Sequence, residues 1–156
     1  MKGDRLGIRH RQTLCRQPAG PQAGCYRYGS AMNVRIAANA GFGLSRVLFG
    51  IVAASVPQKV GETWVGEDAF RPSNRTIFRA MGFRDIALGL GATEAALRDE
   101  AGPWLAVSLL ADIGDVAATL ISAGRIDRRG VVMTSALAGS AAVAAAALLA
   151  IDMNSD

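Results

Sequence analysis

From Met32 to its end the chain has no histidine, no cysteine and no tyrosine, and a single lysine, Lys59. These absences remove the usual general base, a thiolate nucleophile, the common zinc ligands and a histidine haem ligand from that part of the chain. No catalytic residue, cofactor or metal is therefore expected, and the chain is not read as an enzyme. Cys15 and Cys25, with nine residues between them in the N-terminal stretch, match no strong metal spacing. Gly41-Phe42-Gly43 and Gly89-Leu90-Gly91 each lack the third glycine and the preceding strand of a dinucleotide fingerprint, so they read as helix-packing glycines. Asn74-Arg75-Thr76 has the form of a glycosylation acceptor, a motif frequent by chance.

Charge is also scarce, and it is unevenly placed. Only 19% of the 156 residues are charged while 51% are hydrophobic, and the mean hydropathy is +0.24. Soluble domains carry about a quarter of their residues as charged groups. Residues 1–31 hold six basic groups (Lys2, Arg5, Arg9, Arg11, Arg16, Arg27) against Asp4, a net +5, whereas residues 32–156 hold eleven basic and twelve acidic groups, a net −1. The sequence pI of 9.7 thus belongs to the first 31 residues. With Pro18 and Pro21 at its centre and no hydrophobic periodicity, that stretch reads as a disordered basic tail. It could anchor the chain to acidic headgroups. Alternatively, translation starts at Met32 and the tail is not made. The fifteen arginines against two lysines, with abundant alanine and glycine, fit a GC-rich genome in which such start errors are easy. A targeting segment is a third reading, but the apolar run of a secretory signal is missing. A nucleic-acid partner is not supported once the charge is assigned to the tail.

What is present is apolar length. A membrane-crossing helix needs about 20 mostly apolar residues, and residues 36–56, 76–97, 103–123 and 130–151 are candidates. The last contains an uncharged alanine-rich run over residues 130–151. Residues 103–123 open on Pro103 and Trp104, which suit a helix start and an interfacial aromatic. That span sets Asp112 and Asp115 against eight Leu, Ile or Val residues. Each central charge costs about 2.5–3.5 kcal/mol and each large apolar residue returns about 0.3–0.6, so insertion alone is marginal. Residues 76–97, with Arg79, Arg84, Asp85 and Glu94, fare worse. Both need neighbours that accept their charges.

The spacing supplies such neighbours. Ser108, Asp112, Asp115, Thr119 and Ser122 recur along one helical face. Asn39, Gly43, Arg46, Gly50 and Ala53 form a second stripe, and Gly82, Asp85, Gly89, Ala92 and Ala96 a third. Each combines small residues, which let helices approach, with charges that must avoid lipid. Arg46, Arg84, Asp85, Asp112 and Asp115 fall near the middle of their spans, so they are expected to pair. With two cations against three anions, one carboxylate is left over. Two readings stay open: a network that fixes helix register, or a site at which the spare group takes up a proton or cation.

The expected fold is all-α: a four-helix transmembrane bundle whose consecutive helices are antiparallel neighbours across the short turns 98–102 and 124–129, with residues 1–31 as tail and 32–156 as membrane domain. Residues 57–75 read as a loop whose Trp64 and Phe70 serve as headgroup anchors. Without the tail, Lys59, Arg71, Arg75, Arg125, Arg128 and Arg129 outnumber Arg35 and Arg98, which places the odd loops in the cytoplasm and both termini outside; with the tail the balance becomes eight to six for the opposite side.

The order Arg46-x-x-x-Gly50, Pro57, Trp64-Val65-Gly66, Arg71-Pro72 and Arg79-Ala80-Met81-Gly82-Phe83-Arg84-Asp85-Ile86-Ala87-Leu88-Gly89, followed by a two-aspartate span, resembles small four-span membrane proteins of actinobacteria, similar in design to the DoxX-like group. The resemblance covers about residues 33–151, and Gly82–Gly89 is its most specific part. It implies a multi-pass protein of the bacterial inner membrane and, for the wider group, a redox-complex subunit; it supplies no catalytic residues. The expected partners are the lipid bilayer and a second copy or another membrane subunit. The expected role is an accessory or assembly subunit, with a proton- or cation-coupled carrier as the alternative.

Overall fold

The computed structural model describes the backbone of residues 23–154 and the side chains of residues 34–154. Within these, every regular element is helical: α1 (Ala23–Ser55), α2 (Pro57–Val65), a 3-10 turn (Gly66–Phe70), α3 (Pro72–Leu97), α4 (Gly102–Ile121) and α5 (Arg128–Met153). The helical backbone of α1 includes residues 23–31 of the expected tail, and the expectation for residues 1–22 lies outside the described residues.

Among the described residues three helices are long and apolar enough to cross a membrane: Val34–Ser55 of α1, Gly102–Ile121 and Arg128–Met153. The expected span at 76–97 forms a helix of comparable length, but its charges keep it outside this set. The expected loop at 57–75 is corrected. Pro57 and Pro72 do not interrupt structure; each sits in the first turn of a helix, where its missing N–H is not needed. Gly66 ends α2 with φ +61°, a conformation that other residues enter only at a cost.

The helices associate as two close pairs. In the first, α1 and α3 run antiparallel with their backbones nearly touching. A Cβ added at Gly89 would lie 2.5 Å from the Gly43 carbonyl oxygen, and one added at Gly82 would lie 2.7 Å from that of Gly50. Only glycine permits this approach, which explains why two of the sequence stripes carry glycine seven residues apart. The second pair is α4 with α5. The consecutive spans 36–56 and 76–97 therefore pair as α1 with α3, and α4 pairs with α5 across its short turn, whereas α3 and α4 touch only lightly although the turn between them is short. Asp99, at φ +62°, closes the α3–α4 turn in the left-handed region that aspartate tolerates.

The distribution of side chains is inverted relative to a water-soluble bundle. Buried positions hold Ala53, Ala92, Ala95, Ala96 and Ala145 together with Arg46, Asp85 and Asp112. Leu48, Phe83, Leu110, Ile121, Leu137 and Val143 are all more than half exposed. So much outward apolar surface suits a hydrocarbon environment.

Candidate functional site

The side chains that join the two helix pairs come from the three stripes and from Arg84, beside the third. Arg46, at the middle of the α1 span, points between α3 and α4. Its Nη1 donates to both carboxylate oxygens of Asp112, at 2.9 and 2.7 Å, and its Nη2 donates to Asp85 Oδ1 at 2.7 Å. One guanidinium therefore ties three helices. Its cationic face also lies 5.9 Å from the centre of the Phe42 ring, one turn earlier on α1. Arg84 makes a forked pair with Asp115, Nη1 to Oδ1 at 3.0 Å and Nη2 to Oδ2 at 2.8 Å, and reaches Asp85 Oδ1 at 3.4 Å.

All five residues singled out from the sequence are thus in one continuous network, ordered Asp112, Arg46, Asp85, Arg84, Asp115. Asp85 is the shared acid: one of its oxygens accepts from both arginines, while Asp112 accepts from Arg46 alone and Asp115 from Arg84 alone. Forked arginine–carboxylate geometry gives directional as well as electrostatic fit. The inner members Arg46, Asp85 and Asp112 are buried, whereas the Arg84–Asp115 end is part-buried. Along the same faces, Thr119 donates to the Asp115 carbonyl at 2.7 Å and Thr93 to that of Gly89 at 2.8 Å. Asn39 Oδ1 and Ser108 Oγ are buried on the α1 and α4 faces of the network, with no hydrogen-bond partner among the described residues.

Sequence reasoning missed a second cluster. Arg35 donates to Asp152 at 2.7 Å and to Asp99, tying the start of the α1 span to the α3–α4 turn and to the end of α5. Arg35 lies four residues before Asn39 on the same stripe as Arg46, a signal that was available. Its partners were not, since Asp99 and Asp152 become neighbours only once α4 and α5 fold back on each other. These residues, with Glu94, Arg98 and Trp104, border an open groove of about 780 Å³. Its mixed charge and openness give no preference for a particular ligand. Among the described residues no group of three or more His, Cys, Asp or Glu side chains is placed to hold a metal ion.

At the opposite end, Trp64 stacks obliquely on Phe78, with ring centres 5.8 Å apart, and its backbone carbonyl abuts Gly130 at the start of α5. Trp64 therefore secures α2 to the bundle as well as being placed near its end. The Trp104 ring occupies the space beside Gly91. No protein-family model matches this chain, and no curated protein or solved structure matches it.

Proposed function

We propose that the chain is a four-span integral membrane protein that acts as an accessory or assembly subunit, binding through its helix faces and carrying no reaction of its own. The observation that carries this reading is the central network, in which every one of the five charged groups is engaged with an opposite charge on another helix or beside it. A network so arranged fixes helix register inside an apolar shell.

The reading of a fourth span draws its support from α1. Gly43 and Gly50 of the α1 span touch Gly89 and Gly82, so a membrane crossed by α1 also holds the middle of α3. The charges of that middle, Arg84 and Asp85, are the ones paired within the network. Arg79 and Glu94 are exposed, fifteen positions apart on α3 or about 22 Å at the rise of an α-helix, close enough to the two headgroup layers to reach them. Phe78, which packs on Trp64, and Gly91, which packs on Trp104, are thirteen positions apart, or about 20 Å. Both tryptophans then sit toward interfaces, as aromatic belts do. The DoxX-like resemblance would place such a protein in a bacterial inner membrane.

The test is fractionation followed by mild-detergent purification. The full chain is expected to stay in the pellet after alkaline carbonate washing and to copurify with a stoichiometric subunit, of its own or another sequence. Recovery in the supernatant would overturn the membrane reading, and a monomer without partners would overturn the assembly role. The carrier alternative draws support from the unpartnered buried Asn39 Oδ1 and Ser108 Oγ. It requires proton or cation flux from the purified protein in liposomes that Asp112→Asn abolishes.

A further inference from the structure

The α3–α4 seam is the least closed part of the bundle. The side chains of Arg84 and Asp115 are 34% and 21% exposed, whereas those of Arg46, Asp85 and Asp112, in the same network, are 5–7% exposed. The pair lies near the middle of both helices. By helical spacing its rim includes Ala80 and Ala87, one turn to either side of Arg84 on α3, and Ala111 and Ala118, one turn to either side of Asp115 on α4, with Gly114 beside them, side chains too short to fold over the pair. A Cβ added at Gly114 would meet nothing within 4 Å. An ion pair at mid-membrane depth must face protein or water, because hydrocarbon solvates neither partner. Nothing in the rim supplies either.

We propose that a second copy of this chain covers the seam, in a two-fold dimer that sets Arg84 and Asp115 of each subunit against Asp115 and Arg84 of the other. The proposal rests on the membrane-spanning reading above and names the partner that reading leaves open. Its basis is charge complementarity. The exposed end of the network presents one cation beside one anion, and a two-fold rotation places each against its opposite. The shared acid, Asp85, is buried behind this surface, so the face that meets the partner is locally neutral. The short rim allows the backbones to come close, which is what drives helix association where lipid gives no hydrophobic force.

The experiment uses the full chain in lipid vesicles at several protein-to-lipid ratios, with subunits counted by single-molecule photobleaching. Wild-type protein is expected to give two bleaching steps. Gly114→Leu, which adds bulk where the subunit itself has open space, is expected to weaken the dimer at least about tenfold, an effect of roughly 1.4 kcal/mol. Gly41→Leu and Gly139→Leu also point into open space but lie away from the seam, and are expected to remain dimeric. A single bleaching step for wild type at every ratio, an unchanged dimer in Gly114→Leu, or a dimer lost equally in Gly41→Leu would overturn the proposal. So would a different polypeptide copurifying in place of the second copy. Carbonate washing of the same preparations separates the two failures: protein in the pellet but monomeric overturns only the dimer, while protein in the supernatant overturns the membrane reading.

Discussion

Replacing Arg46 by leucine should be the most damaging single change inside the bundle. Arg46 supplies three hydrogen bonds of 2.7–2.9 Å to carboxylates on two other helices. Without it, Asp112 loses the cation that holds both its oxygens, and Asp85 keeps only the 3.4 Å contact with Arg84. Removing one partner of a buried ion pair costs about 3–5 kcal/mol, because the other charge stays behind without compensation. Against a total stability of about 5–15 kcal/mol, this is a large share. At a few degrees per kcal/mol for a chain of this size, the Tm should fall by about 10 °C. The assay is reversible unfolding in mixed detergent micelles, followed by far-UV circular dichroism. The double variant Arg46→Leu/Asp112→Leu removes the stranded carboxylate along with the cation and should recover most of the loss, since an apolar pair in place of a buried ion pair is often neutral. An Arg46→Leu protein within about 1 kcal/mol of wild type, or a double variant no more stable than the single one, would refute the reasoning.

The other predictions concern neighbouring parts of the same arrangement. Asp85→Asn should be milder than Asp112→Asn, by about 1 kcal/mol or more in the same unfolding assay, because it leaves both arginines with a carboxylate of their own. Equal effects would show that Asp85 is not merely the shared member. Gly89→Leu places a side chain where Gly43 approaches to 2.5 Å and should cost at least about 1–3 kcal/mol or abolish insertion, while Gly41→Leu should be nearly neutral by the same measurement. Arg35→Ala should speed amide hydrogen exchange at the end of α5 and in the α3–α4 turn, leaving the middle of α1 unchanged. In single-tryptophan variants, lipids brominated near the headgroup should quench both Trp64 and Trp104 more strongly than lipids brominated deep in the acyl chain.

The central network was the most legible feature, and the reason is geometric. A charge in an apolar helix has few places to go, so its spacing relative to small residues marks the face that meets other helices. Asn39, Gly43, Arg46, Gly50 and Ala53 read as one stripe and are all buried. What spacing alone does not give is which stripe meets which. The short turn after Leu97 suggested α3 against α4, yet the glycines at 43, 50, 82 and 89 bring α1 onto α3, because only there do two glycine faces match in register. The segment 57–75 departs from the expected loop for a local reason. Pro57, Gly61, Gly66 and Pro72 look like loop punctuation, but two of them open helices, Gly66 closes one, and Gly61 makes room for the ring of Phe78. The Arg35 cluster depends on contacts between residues 117 positions apart, which no local pattern encodes.

The claim on which the rest depends is that α3 crosses the membrane together with the three more apolar helices. Single cysteines at Glu67 and Glu100, in a chain with Cys15 and Cys25 replaced by serine, flank α3 at its two ends. Labelling sealed vesicles of one orientation with a membrane-impermeant maleimide tests the claim directly. The account predicts that one site reacts at once and the other only after the vesicles are opened. Reaction of both sites from the same side would contradict it.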